Sequence, residues 1–102
     1  QLRMTELVSQ RQAQVAENQV TTDWERWRRA DIALETVSNE VALSRRSLDL
    51  SSRAFEAGSA TWLEVEQAEL SLRSAELNET IERMNRDLAA VDLLVSTGRQ
   101  AH

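Results

Sequence analysis

Cysteine, proline, lysine and tyrosine are absent from this 102-residue chain, glycine occurs twice and phenylalanine once. The missing cysteine excludes disulfides and thiolate metal sites but leaves cytosol and periplasm equally open. Without proline, and with so little glycine, the chain lacks the residues that punctuate short elements, so a fold of many turns is excluded and a few long helices are expected. No run of about eighteen apolar residues is present to span a membrane. No secretion or lipidation signal is visible either. The start at Gln1 fits a piece of a longer polypeptide, whose flanks are then expected to hold any membrane part.

Basic charge is not concentrated either. All twelve basic residues are arginines scattered along the chain, the formal net charge is -5, and no basic stripe forms, so nucleic acid is not an expected partner. Long helices of this length cannot enclose much core between them, and their sides need neighbours beyond the chain itself.

What is present is heptad periodicity. Val20, Trp27, Leu34, Val41, Leu48 and Phe55 recur every seven positions and define one helical seam. Trp24, Ala30 and Val37 thicken it, while Ser44 and Ser51 keep it thin. An offset series of Leu43, Leu50 and Ala57 makes the lower part of this helix apolar on a second side. In the second half, Leu63, Leu70, Leu77, Met84 and Val91 form the expected packing row, joined by Ile81, Leu88 and Val95, with Val65, Ala68, Leu72 and Ala75 on an additional face. Heptad spacing and small residues favour shallow, close helix packing.

Between the halves, Gly58 supplies a left-handed helix stop, and Thr61 followed three residues later by Glu64 reads as a capping box. The fold expected is all-α: a long antiparallel helical hairpin with helix over residues 2–57, a tight turn at 58–61 and helix over residues 62–97. The whole chain is read as one hairpin. Residues 1–20 should overhang, because the second arm is too short to reach them at equal rise per residue. Thr21 and Thr22 are β-branched, and Thr22 with Glu25 makes a second capping box, but without glycine or proline continuity is expected. Gly98 should end the second arm, leaving residues 99–102 frayed.

Sites for chemistry are scarce. No glycine-rich phosphate loop, nucleophile elbow or metal-ligand spacing exists, the one histidine is the terminal His102, and two helices offer no enclosing pocket; the reading is non-enzymatic, with no cofactor and no metal. Acid-first pairs four apart (Glu25 with Arg29, Asp49 with Arg53, Glu69 with Arg73, Glu79 with Arg83, Glu82 with Arg86) read as solvated helix faces. Trp24 and Trp27 lie three apart on the seam and are expected to pack against the partner arm or a neighbouring protomer, with an exposed interaction patch as the alternative. Trp62, in the first turn of the second helix, either caps the tip or meets a docking partner.

Phe55, Gly58, Thr61, Leu63, Glu64 and Val65 together resemble the Tyr/Phe-x-x-Gly-x-x-Thr/Ser-x-Leu/Val-Asp/Glu-Val signature of TolC-type outer-membrane efflux proteins. The stretch from Ala42 to Ala54, with Arg45, Arg46, Leu48 and Leu50, is similar to the helix entering that turn. Residues Ala68 to Leu77 and Arg86 to Gly98 are similar to the returning helix. The resemblance implies the periplasmic hairpin of the C-terminal structural repeat of a channel subunit in a Gram-negative bacterium. In that family three subunits share a β-barrel and an α-helical tunnel serving tripartite efflux or type I secretion, alongside an inner-membrane transporter. The tip, here Phe55, Glu56, Gly58, Ser59, Ala60, Thr61 and Glu64, would meet the periplasmic adaptor. Two features depart from the pattern: Glu64 replaces the commoner aspartate, and Ala60 stands where some members carry a basic residue that helps close the entrance.

Two other readings fit part of the sequence. A periplasmic adaptor hairpin would use an arginine, a leucine four later and a serine seven beyond; Arg46 and Leu50 fit, but Ala57 stands in the serine position. A self-associating coiled-coil scaffold would need only the heptads. In isolation the hairpin is expected to pair with a second copy as an antiparallel four-helix bundle.

Overall fold

The computed structural model describes residues 2–101, with side chains described from 3 to 99. It consists of two helices, α1 (Leu2–Glu56) and α2 (Trp62–Ala101), antiparallel and joined by a five-residue turn, with no strand among the described residues. The helical hairpin is therefore the fold. None of the described helices is long and apolar enough to cross a membrane.

α1 runs without a break through Thr21 and Thr22. The hydroxyl of Thr21 donates to the Glu17 carbonyl at 3.1 Å, a bond back along the same helix. α2 corrects the expected end at Gly98 and continues to Ala101. The only described glycine with a left-handed backbone is Gly58, at φ 80°. Gly98 stays helical because a glycine costs about 1 kcal/mol relative to alanine in a helix, which does not by itself break the ladder of bonds on either side. Residues 99–101 are accordingly helical, and the expectation for His102 lies outside the described residues.

The chain packs as two compact units, Ile32–Met84 and the pair Gln1–Asp31 with Asn85–His102. In the first, the tip unit, Leu34, Val41, Val65 and Ala75 are buried between the arms, and Val37, Leu48, Ala68 and Leu72 are half-buried. Burying a side chain of the size of Leu34 or Val41 stabilises by about 1.5–3 kcal/mol. In the second, the terminal unit, Asp23, Ala89 and Ser96 are buried, with Val20, Trp27, Ala30 and Leu93 half-buried. Every described side chain from 3 to 15 is exposed.

The α1 seam thus follows the expected series, Leu34 and Val41 at its most buried, although Phe55 is half-exposed at the tip. Two parts of the expected seam lie outside the contact between the arms. Trp24 is 51% exposed, because the helical step four before Trp27 and three after Val20 falls on Asp23, and Trp24 sits one residue further round. On α2, the row Leu63, Leu70, Leu77, Met84 and Val91 is exposed at 55–66% and does not hold the hairpin together. The face that meets α1 is instead Val65, Ala68, Leu72 and Ala75, continued at the same spacing by Ala89, Leu93 and Ser96. Small side chains on the inner face let the helices approach closely, and the larger leucines are left pointing away.

Candidate functional site

The tip is built by two interlocking caps. At the end of α1, the Gly58 amide donates to the Phe55 carbonyl at 3.0 Å and the Ser59 amide to the Ala54 carbonyl at 2.8 Å, the double bond of a Schellman cap with Gly58 in its left-handed position. The carbonyl of Ala54 also accepts the Ala60 amide and the Ser59 hydroxyl, each at 3.2 Å. No atom lies within 4 Å of where a Cβ on Gly58 would sit, so the requirement for glycine is the backbone conformation and not space. At the start of α2, the Glu64 amide donates to the Thr61 hydroxyl and the Thr61 amide to the Glu64 carboxylate, both at 3.3 Å. This is the reciprocal capping box expected from Thr61 and Glu64.

These caps bring the expected tip residues together at one end of the tip unit. Glu56, Gly58, Ser59, Thr61 and Glu64 are exposed, Ala60 is half-buried, and Phe55 is 42% exposed. Trp62 belongs to the same surface. Its ring centroid lies 5.5 Å from that of Phe55 at an interplanar angle of 58°, and its indole Nε1 donates to Glu66 Oε1 at 2.8 Å. Trp62 is 56% exposed, so it covers Phe55 with part of its surface and presents the rest to solvent. The spacing of an indole donor and a carboxylate four residues apart at a helix start was the available sequence signal for Glu66, which was not among the expected tip residues.

No protein-family model, curated protein or solved structure matches this chain.

Behind the tip, the outer side of α2 in the tip unit carries Leu63, Leu70, Leu77, Ile81 and Met84, and α1 adds Leu43 and Leu50, all at least 45% exposed. Leu43 and Leu70 line a shallow groove of ≈ 630 Å³ together with the small side chains Ser44, Ser71, Ser74 and Ala75 and the polar Glu40 and Asn78. A groove of this kind accepts a large apolar side chain from another helix.

The terminal unit contains a different feature. Asp23 is buried on the seam, where the Ser96 hydroxyl donates to one carboxylate oxygen and the Gln19 amide donates to the other at 3.1 Å. The Ser96 hydrogen bond holds the Asp23 carboxyl below its ordinary value of 3.8; burial opposes this, and Gln19, Arg26 and Arg99 add to it. One turn away, Arg26 and Asp92 pair across the arms at 3.5 Å, both more than half exposed. Asp23 and Asp92 balance Arg26 and Arg99 around the adjoining cleft, which leaves no net charge to draw an ion. No cluster of metal-ligating side chains occurs among the described residues.

Of the acid-first pairs, Asp49 with Arg53 and Glu79 with Arg83 are bridged at 3.3 and 3.6 Å. Arg29 turns instead to the Glu25 carbonyl, and Arg86 pairs with Asp87 and not with Glu82.

Proposed function

We propose that this chain is a periplasmic hairpin of a TolC-type outer-membrane channel subunit, forming part of a helical tunnel wall and presenting its tip to a periplasmic adaptor in tripartite efflux or type I secretion. The observation that carries the reading is the division of α2 in the tip unit into two packing faces. Val65 and Ala75 are buried against α1, while Leu63, Leu70 and Leu77 are more than 60% exposed on the other side. A hairpin that worked alone would not keep such a row of leucines wet, whereas a wall segment needs a lateral neighbour on that side. The double-capped tip at Gly58 and Thr61 supports the same reading, since it gives the wall a short, rigid end.

On this reading the full subunit is a homotrimer, and the isolated chain covers its outer leucines by pairing with a second copy. The experiment is removal of residues 58–61 from the full-length channel subunit. Export should be lost while outer-membrane insertion persists, and normal export after the deletion would overturn the proposal. For the isolated chain, sedimentation should give a dimer; a helical monomer at high concentration would remove the argument from the outer face. Ala60 carries no charge, so any closure of the entrance at this tip does not use an ion pair from that position.

A further inference from the structure

We propose that Trp62 and Glu66 form a platform for an arginine presented by a partner protein, so that the tip recognises a basic protein surface and not merely an apolar one. The inference rests on the tip being the docking end of the hairpin and adds the chemistry of what it docks.

Three observations carry it. The first is charge: from Ala54 to Leu72 the chain has four glutamates, Glu56, Glu64, Glu66 and Glu69, and no basic residue. Arg53, at the border of this stretch, is bridged to Asp49 at 3.3 Å. The tip is thus an acidic zone within a chain whose arginines lie elsewhere, and charge complementarity selects a basic partner.

The second is the aromatic surface. Trp62 leans on Phe55 with its centroid 5.5 Å away, yet remains 56% exposed. An indole fixed by a neighbouring ring and open on its remaining surface is the strongest side-chain acceptor of a cation, and a planar guanidinium stacks on it better than an ammonium does.

The third is the carboxylate beside it. Glu66 Oε1 accepts the indole Nε1–H at 2.8 Å, which holds the carboxylate at the ring edge while its second oxygen remains available. Beyond it lies a shallow groove of ≈ 220 Å³ lined by Glu66, Glu69, Leu70 and Arg73, two acidic residues to one basic. An incoming arginine can therefore lie over the indole and direct its head to Glu66. The same acidity disfavours an anionic membrane surface as the occupant.

The test is titration of the whole chain with hexa-arginine and with hexa-lysine peptides, read at the indole Nε1–H NMR signals of Trp24, Trp27 and Trp62. The Trp62 signal should move first, and hexa-arginine should bind about fivefold more tightly than hexa-lysine, as expected for a cation over an exposed indole. Trp62→Ala should bring the two peptides within about twofold of each other, since the remaining attraction is charge alone. Glu66→Gln should weaken hexa-arginine about threefold and flatten the salt dependence of binding. Far-UV circular dichroism identifies these as binding effects; were Trp62→Ala to lose helicity, Trp62→Phe and Glu66→Gln carry the test. Equal binding of the two peptides by the unmodified chain, an arginine preference that survives loss of the indole in a folded variant, or shifts confined to Trp24 and Trp27 would each overturn the platform. Tip deletion with an export readout is independent, so the wall reading and the arginine platform fail separately.

Discussion

The tip unit and the terminal unit hold the same two helices together by different chemistry. In the tip unit all four buried residues, Leu34, Val41, Val65 and Ala75, are apolar, and the side-chain hydrogen bonds described there are local, each within one helix or between the turn and the helix end beside it. In the terminal unit two of the three buried residues among those described, Asp23 and Ser96, are polar and bond to each other across the arms, with Arg26 and Asp92 paired beside them. Near a short turn, covalent connection and cap geometry already dictate which residues face each other, and an apolar seam only has to fill the space. Where the turn is far away along both helices, heptads of similar residues permit sliding. A single polar pair on the seam then penalises every register but one, at some expense in stability.

That contrast can be broken in measurable ways. The largest effect is expected in the apolar unit: Leu34→Ala removes a side chain that is 7% exposed and should destabilise by about 2–3 kcal/mol in denaturant unfolding. A loss below half of that would mean the seam relaxes around the cavity and is less closely packed than its burial implies. Next is Gly58→Ala, where the added methyl group meets nothing within 4 Å but must adopt a positive φ. It should cost about 1–2 kcal/mol. Gly98→Ala is the converse, an addition to open space on an ordinary helical backbone, and should stabilise α2 by up to about 1 kcal/mol. Equal signs for the two glycines would contradict the assignment of one as a cap and the other as helix interior.

The smallest effect at neutral pH belongs to the polar pair and emerges in acid. The folded-state pKa of Asp23 lies below 3.8, so its contribution is fully present above that value and is lost as pH falls from there through the folded pKa. Melting curves of the wild type should drop more steeply below pH 4 than those of Asp23→Asn. Parallel acid limbs would show that Ser96 does not favour the ionised form. Asp23→Leu with Ser96→Ala should keep the hairpin folded but broaden the distances between spin labels placed on the two arms of the terminal unit, whereas the same labels in the tip unit should stay sharp.

The features legible in the sequence were those fixed by local rules. Gly58, Thr61 and Glu64 specify their caps within a few residues, and α1 and the turn fall within one residue of expectation. The α1 seam was legible because Val20, Trp27, Leu34 and Val41 keep strict period, each standing on a single apolar face. α2 offered two apolar faces, and periodicity alone did not say which of them meets α1: Leu63, Leu70 and Leu77 outrank Val65, Ala68 and Ala75 in apolar area, but the inner face is chosen by how closely the arms approach. Asp23 was obscured for a related reason. A charged residue is not expected on a seam beside Trp24 unless its partner is known, and Ser96 lies 73 residues away. At the candidate site, Phe55 to Glu64 were named from the motif and the four-residue spacing of Trp62 and Glu66 was there to be read, while the ring contact of Trp62 with Phe55 crosses the turn and is not given by helix spacing.

The Ala54 carbonyl, which receives the Ser59 amide, the Ala60 amide and the Ser59 hydroxyl, has a consequence for how this end of the molecule is read by others. The Ser59 and Ala60 amides are turned inward to that one oxygen, so the exposed tip should exchange these two protons slowly despite lying in solvent. A partner finds there a surface already in its final shape, whose information resides in side chains and not in free backbone, and little ordering is left to be done on contact.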